Sequence, residues 1–101
     1  MPLRIKPTPL AAEQIRAEAR WWRANRTKAP ALFREELRRA FQLISDYPEA
    51  GPVATDADTN DIRRVLLAGT QHYLYYRVNE VENRIEVLGL WSTRRGEPPP
   101  L

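Results

Sequence analysis

Residues 48–61, PEAGPVATDADTND, divide the chain into two halves with different hydrophobic periodicities. Proline, glycine, aspartate and asparagine crowd this segment, which is typical of a loop. Before it, apolar residues recur every three or four positions, the spacing of one helix face; after it come runs rich in β-branched and aromatic residues. A chain that forms its helices first and its strands afterwards predicts an α+β domain, with the helices packed on one face of the sheet.

The first half predicts a short strand followed by two helices. Leu3–Lys6 alternates apolar and basic residues between two prolines, which indicates a strand. Thr8-Pro9 has the character of an N-cap and a first helical residue, and predicts a helix from about 9 to 25. Pro30 predicts the start of a second helix, which ends near Tyr47 because a proline follows. Two helices joined by so few residues predict an antiparallel hairpin.

The second half predicts three strands, Ile62–Leu67, Tyr73–Val78 and Arg84–Trp91, joined by short turns. Short connections favour antiparallel pairing, so these strands predict a meander. The whole chain, residues 1–101, is then a single domain: an N-terminal strand, a two-helix antiparallel hairpin and a three-stranded antiparallel meander. Residues 96–101, GEPPPL, predict an extended tail that is mobile or contacts a partner.

The composition excludes several classes of site. The 101 residues include no cysteine, which excludes a disulfide framework, a thiolate metal site and a cysteine nucleophile. No apolar run approaches the roughly 20 residues that span a bilayer, and the start lacks a signal-peptide pattern. We therefore expect a cytoplasmic protein with no membrane association.

The net charge of +3 is unevenly distributed. Residues 1–47 carry ten Lys or Arg against five Asp or Glu, whereas residues 48–61 carry four acids and no base. A basic excess of this size is compatible with binding to nucleic acid or to an acidic protein partner.

Strand alternation and helix spacing assign faces to the conspicuous side chains. Arg63 and Arg64 point to opposite faces of their strand, so that one of them can meet an anion. Trp22 lies on the apolar stripe of the first helix and is expected in the core. Trp21 lies off the stripe, and an exposed tryptophan indicates a partner surface. His72, the only histidine, is a candidate general base or else a solvated residue at a strand edge.

Five features in this order resemble the RelE/ParE family of bacterial toxins, the toxin halves of type II toxin–antitoxin modules. They are the opening strand with its helical hairpin, the phrase LISDYPEAGPV, the arginines of IRRVL, the tyrosine-rich LYYRV, and IEVLGLW followed by STRRG. The resemblance covers almost the whole chain. It implies the same α+β fold, and an antitoxin whose C-terminal part wraps the toxin.

The two branches of this family differ in their targets. RelE-like members cut messenger RNA in the ribosome, whereas ParE-like members are associated with inhibition of DNA gyrase and are not nucleases. Cleavage of RNA needs a base, an acid and cations that stabilise the developing charge. In this chain a nuclease would use Arg63 or Arg64, His72 and Arg94.

The C-terminal end of the last strand argues against that chemistry. Where the nucleases place an ionisable acid or base, this chain has Trp91 and Ser92, and neither exchanges a proton near neutral pH. The resemblance therefore favours the ParE-like branch, a toxin with no cofactor, no metal and no catalytic residues. The alternatives are a ribosome-dependent endoribonuclease acting on messenger RNA, and a degenerate toxin that only binds its antitoxin.

The expected partners are a ParD-like antitoxin with an acidic C-terminal segment, and DNA gyrase as the target. An acidic antitoxin would match the basic surface, and we expect it in the groove of the helices and sheet. The residues expected to contact partners combine positive charge or an aromatic ring with exposed positions: Trp21, Arg63, Arg64, Trp91, Arg94 and Arg95.

Overall fold

The computed structural model describes residues 2–101, which form two helices and one four-stranded sheet. The helices are α1 (Pro9–Asn25) and α2 (Leu32–Asp46), and the strands are β1 (Arg4–Pro7), β2 (Arg63–Leu67), β3 (His72–Asn79) and β4 (Arg84–Ser92). The predicted order of elements and the α+β class are confirmed. Neither helix in the described part of the chain has the length and apolar character that crossing a bilayer requires.

The sheet is mixed and has the strand order β1-β4-β3-β2. β2, β3 and β4 form the predicted antiparallel meander, while β1 lies parallel to β4, with Arg4 opposite Arg84. Gln71 and Asn83, in the two turns of the meander, adopt positive φ angles of 61° and 53°. Asparagine adopts this left-handed conformation more readily than most residues, which suits Asn83 to its turn.

The helical hairpin covers one face of the sheet and encloses the main core. Its fully buried members include Phe33 and Ile44 from α2, and Leu74, Ile85 and Val87 from the two central strands. Burying one such side chain contributes roughly 1.5–3 kcal/mol relative to leaving it in water. Because the core joins both helices to β3 and β4, the hairpin is fixed over the middle of the sheet.

The connection between the helices differs from the prediction by two residues. α1 begins as expected, since the Thr8 hydroxyl accepts a hydrogen bond of 3.2 Å from the Ala11 amide. α2, however, begins at Leu32, and Pro30 belongs to the preceding turn. The buried Trp22 indole donates a hydrogen bond of 2.7 Å to the Ala29 carbonyl, which fastens this turn to α1.

The face of the sheet turned away from the helices, the outer face, is covered by the loop that follows α2. Ala54 and Ile62 from this segment pack on the fully buried Tyr75. The loop enters through a tight passage at Gly51, where an added Cβ would lie 2.7 Å from the Arg64 carbonyl oxygen and 2.9 Å from the Tyr76 hydroxyl. Any larger residue at position 51 would therefore push the loop off the sheet.

Candidate functional site

Arg64 lies on the outer face, where three of the chain's own side chains contact it while its own side chain stays 25% exposed. Its Nη1 is 3.1 Å from the Asp56 carboxylate and donates a hydrogen bond of 3.4 Å to the Tyr75 hydroxyl. The guanidinium lies 3.9 Å from the centre of the Tyr73 ring, a cation–π contact. The Tyr75 hydroxyl in turn donates a hydrogen bond of 2.6 Å to Asp56. The cation that could have met a phosphate is thus neutralised within the molecule.

The pKa of Tyr75 is raised to about 12, by burial first and by the hydrogen bond to Asp56 second. At neutral pH the phenol therefore stays protonated and is a poor proton acceptor. The Asp56 carboxylate belongs to the acidic loop 48–61. The sequence pattern does not indicate that this loop pairs with Arg64.

Arg63 lies on the opposite face of β2 from Arg64, as strand alternation predicts. It pairs across the sheet with Tyr76, which faces the helices, and its Nη1 donates a hydrogen bond of 2.8 Å to the Gly51 carbonyl. The Tyr76 hydroxyl accepts from the Gly51 amide at 2.9 Å and donates to the Pro48 carbonyl at 2.8 Å. Arg63 and Tyr76 therefore both hold the start of the loop against the sheet edge by hydrogen bonds to its backbone.

His72 is buried on the helix side, only 9% exposed, so the expectation of a solvated ring is wrong. The ring packs against Phe33, and its Nε2 lies 3.5 Å from the Glu18 carboxylate, while Nδ1 has no hydrogen-bond partner within residues 2–101. Burial lowers the pKa of His72, and the opposing effects of Glu18 and the Thr70 backbone do not outweigh it.

The residues required by the nuclease interpretation do not converge. Arg64 and His72 lie on opposite faces of the sheet. Arg63 is opposite Tyr76, four positions along β3 from His72, which at 3.3 Å per residue is roughly 13 Å. Only His72 and Arg94 line a common pocket. A single phosphate could not contact all of these side chains in this arrangement.

The C-terminal residues form a basic and aromatic edge. The Arg95 guanidinium lies 4.2 Å from the centre of the Trp91 ring, and the Trp91 indole donates a hydrogen bond of 3.0 Å to the Glu97 carbonyl. Arg94 and Arg95 are both exposed. The tail packs back on the outer face, since a Cβ added at Gly89 would lie 2.8 Å from a methyl group of Leu101.

A groove of about 490 Å³ runs between the two helices and β1. We call it the helix groove. Its lining is apolar, and arginines stand at its rim. The apolar residues are Ile5, Ile15, Ala19, Phe33, Leu37 and Phe41, and the arginines are Arg16, Arg34 and Arg38. The helical stripes indicate the apolar residues of the two helices as core, but the pattern does not reveal that the hairpin leaves an open cleft between them.

A second depression, which we call the end pocket, lies where α1 ends and the β2–β3 turn meets the end of β4. It has a volume of about 400 Å³, and the residues that define it are Trp21, Arg26, Thr70, His72, Ser92 and Arg94, with Glu18 in its wall. Trp21 is 44% exposed, as expected, and Trp22 is buried. Arg26, which the sequence analysis overlooked, lies 5.1 Å from the centre of the Trp21 ring.

No group of three or more His, Asp or Glu residues between positions 2 and 101 could hold a metal.

Solved structures of bacterial toxins share this fold. The isolated E. coli RelE toxin gives a TM-score of 0.67 at 18% identity, covering 94% of this chain and 88% of that chain. The chromosomal ParDE system from P. aeruginosa gives a TM-score of 0.69 at 15% identity, covering 91% and 97%. A double arginine-to-alanine mutant of E. coli RelE in complex with an antitoxin RelBc peptide gives 0.66 at 16% identity, covering 94% and 87%. The fold is that of the RelE and ParE toxins.

The sequence identifies the family within this fold. Residues 5–96 match the family described as the ParE toxin of the type II toxin–antitoxin system parDE, and this match spans most of the chain. The chain therefore belongs to the ParE toxin family, which confirms the resemblance and implies a cognate antitoxin as partner. A search among curated proteins gives no match.

Proposed function

We propose that the protein is a toxin that acts by binding, that its target is DNA gyrase, and that an acidic, ParD-like antitoxin neutralises it. The observation that carries this proposal is the state of Arg64, which pairs with Asp56 and stacks on Tyr73 instead of facing an open site. A ribonuclease would need this cation free beside an acid and a base.

The side chains at the positions where a nuclease would need an acid and a base also support a toxin that binds its target and catalyses no reaction. His72 lies on the other side of the sheet, with Phe33 and Glu18. Neither Trp91 nor Ser92, at the end of β4, has a side chain that ionises near neutral pH. The proposal therefore needs no catalytic residue and no cofactor.

The helix groove supports the antitoxin half of the proposal. An amphipathic helix binds in such a groove by inserting apolar side chains at a spacing of three and four residues. The rim arginines Arg16, Arg34 and Arg38 are exposed and would attract acidic residues on the flanks of that helix. A cytoplasmic location remains a prediction that suits both proposed partners.

Purified toxin added to a gyrase supercoiling reaction, with a parallel incubation of ribosomes and messenger RNA, tests the proposal. We expect relaxed DNA to accumulate and the RNA to stay intact, and added antitoxin to restore supercoiling. RNA cleavage that disappears in the His72→Ala variant would establish the nuclease alternative instead. Growth that continues when the toxin is expressed without antitoxin would indicate a degenerate toxin.

A further inference from the structure

We propose that the end pocket is the surface that engages the toxin's target, and that it accepts an acidic segment of a protein. This inference rests on the proposed function, since it presumes a target that the toxin binds rather than cuts. It assigns the antitoxin and the target to different sides of α1. The helix groove takes the apolar antitoxin helix, and the end pocket takes the acidic segment.

The charge of the end pocket favours a carboxylate ligand. Arg26 and Arg94 both line the opening, and among residues 2–101 neither has a carboxylate partner within salt-bridge distance. The one acid in the wall, Glu18, lies against the His72 ring. Two arginines that line one depression can each form bidentate hydrogen bonds with a carboxylate.

The pocket also offers a hydroxyl group from which a carboxylate could accept a hydrogen bond, at Ser92. The Ser92 hydroxyl accepts a hydrogen bond from the Arg94 amide at 3.2 Å, and its own proton remains available.

The aromatic rim distinguishes this pocket from a plain anion site. Trp21 is 44% exposed beside the opening, and Arg26 holds the ring at a cation–π distance. Tryptophan and arginine are the residues that most often dominate the energy of a protein–protein interface. A volume of about 400 Å³ accommodates one or two side chains of a partner.

The same geometry fits an acidic protein better than a nucleic acid strand. Single-stranded nucleic acid needs a line of cations along its backbone and open aromatic faces on which successive bases stack. Here one ring, Trp21, is exposed, and Arg26 already lies over it.

Charge-reversal variants can test the roles of the arginines at the end pocket and at the helix groove separately. The first variant carries Arg26→Glu and Arg94→Glu in the end pocket. The second carries Arg16→Glu and Arg38→Glu at the helix groove. The matched control carries Arg20→Glu and Arg23→Glu, two exposed arginines of α1 that line neither site and produce the same change in net charge.

Growth arrest in cells and antitoxin binding by the purified full-length chain are the two measurements. We expect the end-pocket variant to lose growth arrest, through a loss of about 30-fold or more in target affinity as for an interface hot spot, while it still binds antitoxin. The helix-groove variant should show the reverse pattern, arresting growth even when antitoxin is co-expressed. The control should behave as the wild type in both measurements. Antitoxin binding also reports that the end-pocket variant is folded.

Three results would overturn the assignment. The first is an end-pocket variant that remains fully toxic; the second is a control that loses toxicity equally, because net charge would then explain the effect. The third is an end-pocket variant that melts as the wild type does but no longer binds antitoxin. Failure of the proposed target gives a different pattern: the wild type arrests growth without inhibiting supercoiling by gyrase, and the three variants still rank as expected.

Fluorescence anisotropy distinguishes the class of ligand. A labelled Asp/Glu-rich peptide and a labelled oligodeoxythymidine are titrated with the wild-type toxin and with the end-pocket variant. We expect the peptide to bind the wild type more tightly than the oligonucleotide, and the charge reversal to abolish that binding. Preference for the oligonucleotide would overturn the acidic-protein assignment.

Discussion

The two faces of the sheet are both covered, but by different means. The helix side is an apolar core in which Phe33, Ile44 and Leu74 are fully buried. The outer face has a loop over it, and the contact combines a smaller apolar cluster around Tyr75 with the charged and hydrogen-bonded group of Arg64, Asp56 and Tyr75. Apolar packing is non-directional and tolerates small displacements, whereas the outer face depends on a few groups in one geometry. The same sheet therefore has one face stabilised mainly by apolar packing and one to which a directional polar group also contributes.

The largest effect of a substitution is expected on the helix side. Phe33→Ala removes a fully buried ring that packs on both the core and His72, and should lower the free energy of unfolding by about 3–5 kcal/mol. Urea denaturation measures this loss. Leu43→Ala, at a residue that is 44% exposed on the same helix, is the matched control and should change stability far less. Equal losses in the two variants would show that the helix side is not the stabilising face.

Gly51→Ala is expected to have the next largest effect, at the point where the loop passes to the outer face. The added methyl would lie 2.7 Å from the backbone oxygen of Arg64, which cannot move without shifting β2. Overpacking of this kind costs about 1–3 kcal/mol. Gly96→Ala, where an added Cβ meets nothing within 4 Å, should leave the urea midpoint unchanged. If both alanines are tolerated alike, the passage at Gly51 is not tight.

Asp56→Asn should act on the outer face alone. It removes the ion pair with Arg64, and since both side chains are partly exposed we expect a loss of only about 1 kcal/mol. The pKa of Tyr75 should fall below about 12, because the hydrogen bond to the Asp56 carboxylate raises it and Arg64 then acts unopposed. Ultraviolet titration of the tyrosines detects this change. Asp58→Asn, at an exposed position in the same loop, should leave the titration as it is.

The smallest effect is a pH dependence on the helix side. Burial lowers the pKa of His72 in the folded state, so the unfolded chain binds the proton more tightly. The stability associated with the neutral ring is present above the unfolded pKa of about 6.5, and is lost as the pH falls from there towards the folded pKa. Comparing urea midpoints of the wild type and His72→Gln across this range isolates the effect. A difference between the two proteins that does not vary with pH would contradict it.

The helix side is the part of the molecule that the sequence predicts well. Periodicity indicated the buried role of Trp22, and strand alternation placed Arg63 and Arg64 on opposite faces, because both signals are local. The pairing of Asp56 with Arg64 is not local in this sense. It depends on how a loop without periodicity returns over the sheet, and no residue spacing encodes that path.

The candidate sites show the same limit. Trp21 and Arg94 were expected on a partner surface, and the structure places both at the end pocket. Arg26 was overlooked because it follows the end of α1, where a basic residue is ordinary. The burial of His72 was not predicted either, because it results from tertiary packing of the start of β3 against Phe33 of α2, which is distant in sequence. The roles of Arg63, Trp91 and Arg95 in binding partners remain predictions.

The parallel pairing of β1 with β4 determines when the protein can finish folding. β1 is synthesised before both helices and the other three strands, yet its strand partner β4, which includes Ile85 and Val87, is the last of these elements along the chain. Contacts between such distant segments form late, because a long loop must close before they are made. The sheet therefore cannot be complete on a nascent chain that lacks its last strand. Until β4 has been made, one edge of β1 has no strand to pair with, and the last element of the sheet to be synthesised is the one that joins both halves of the chain.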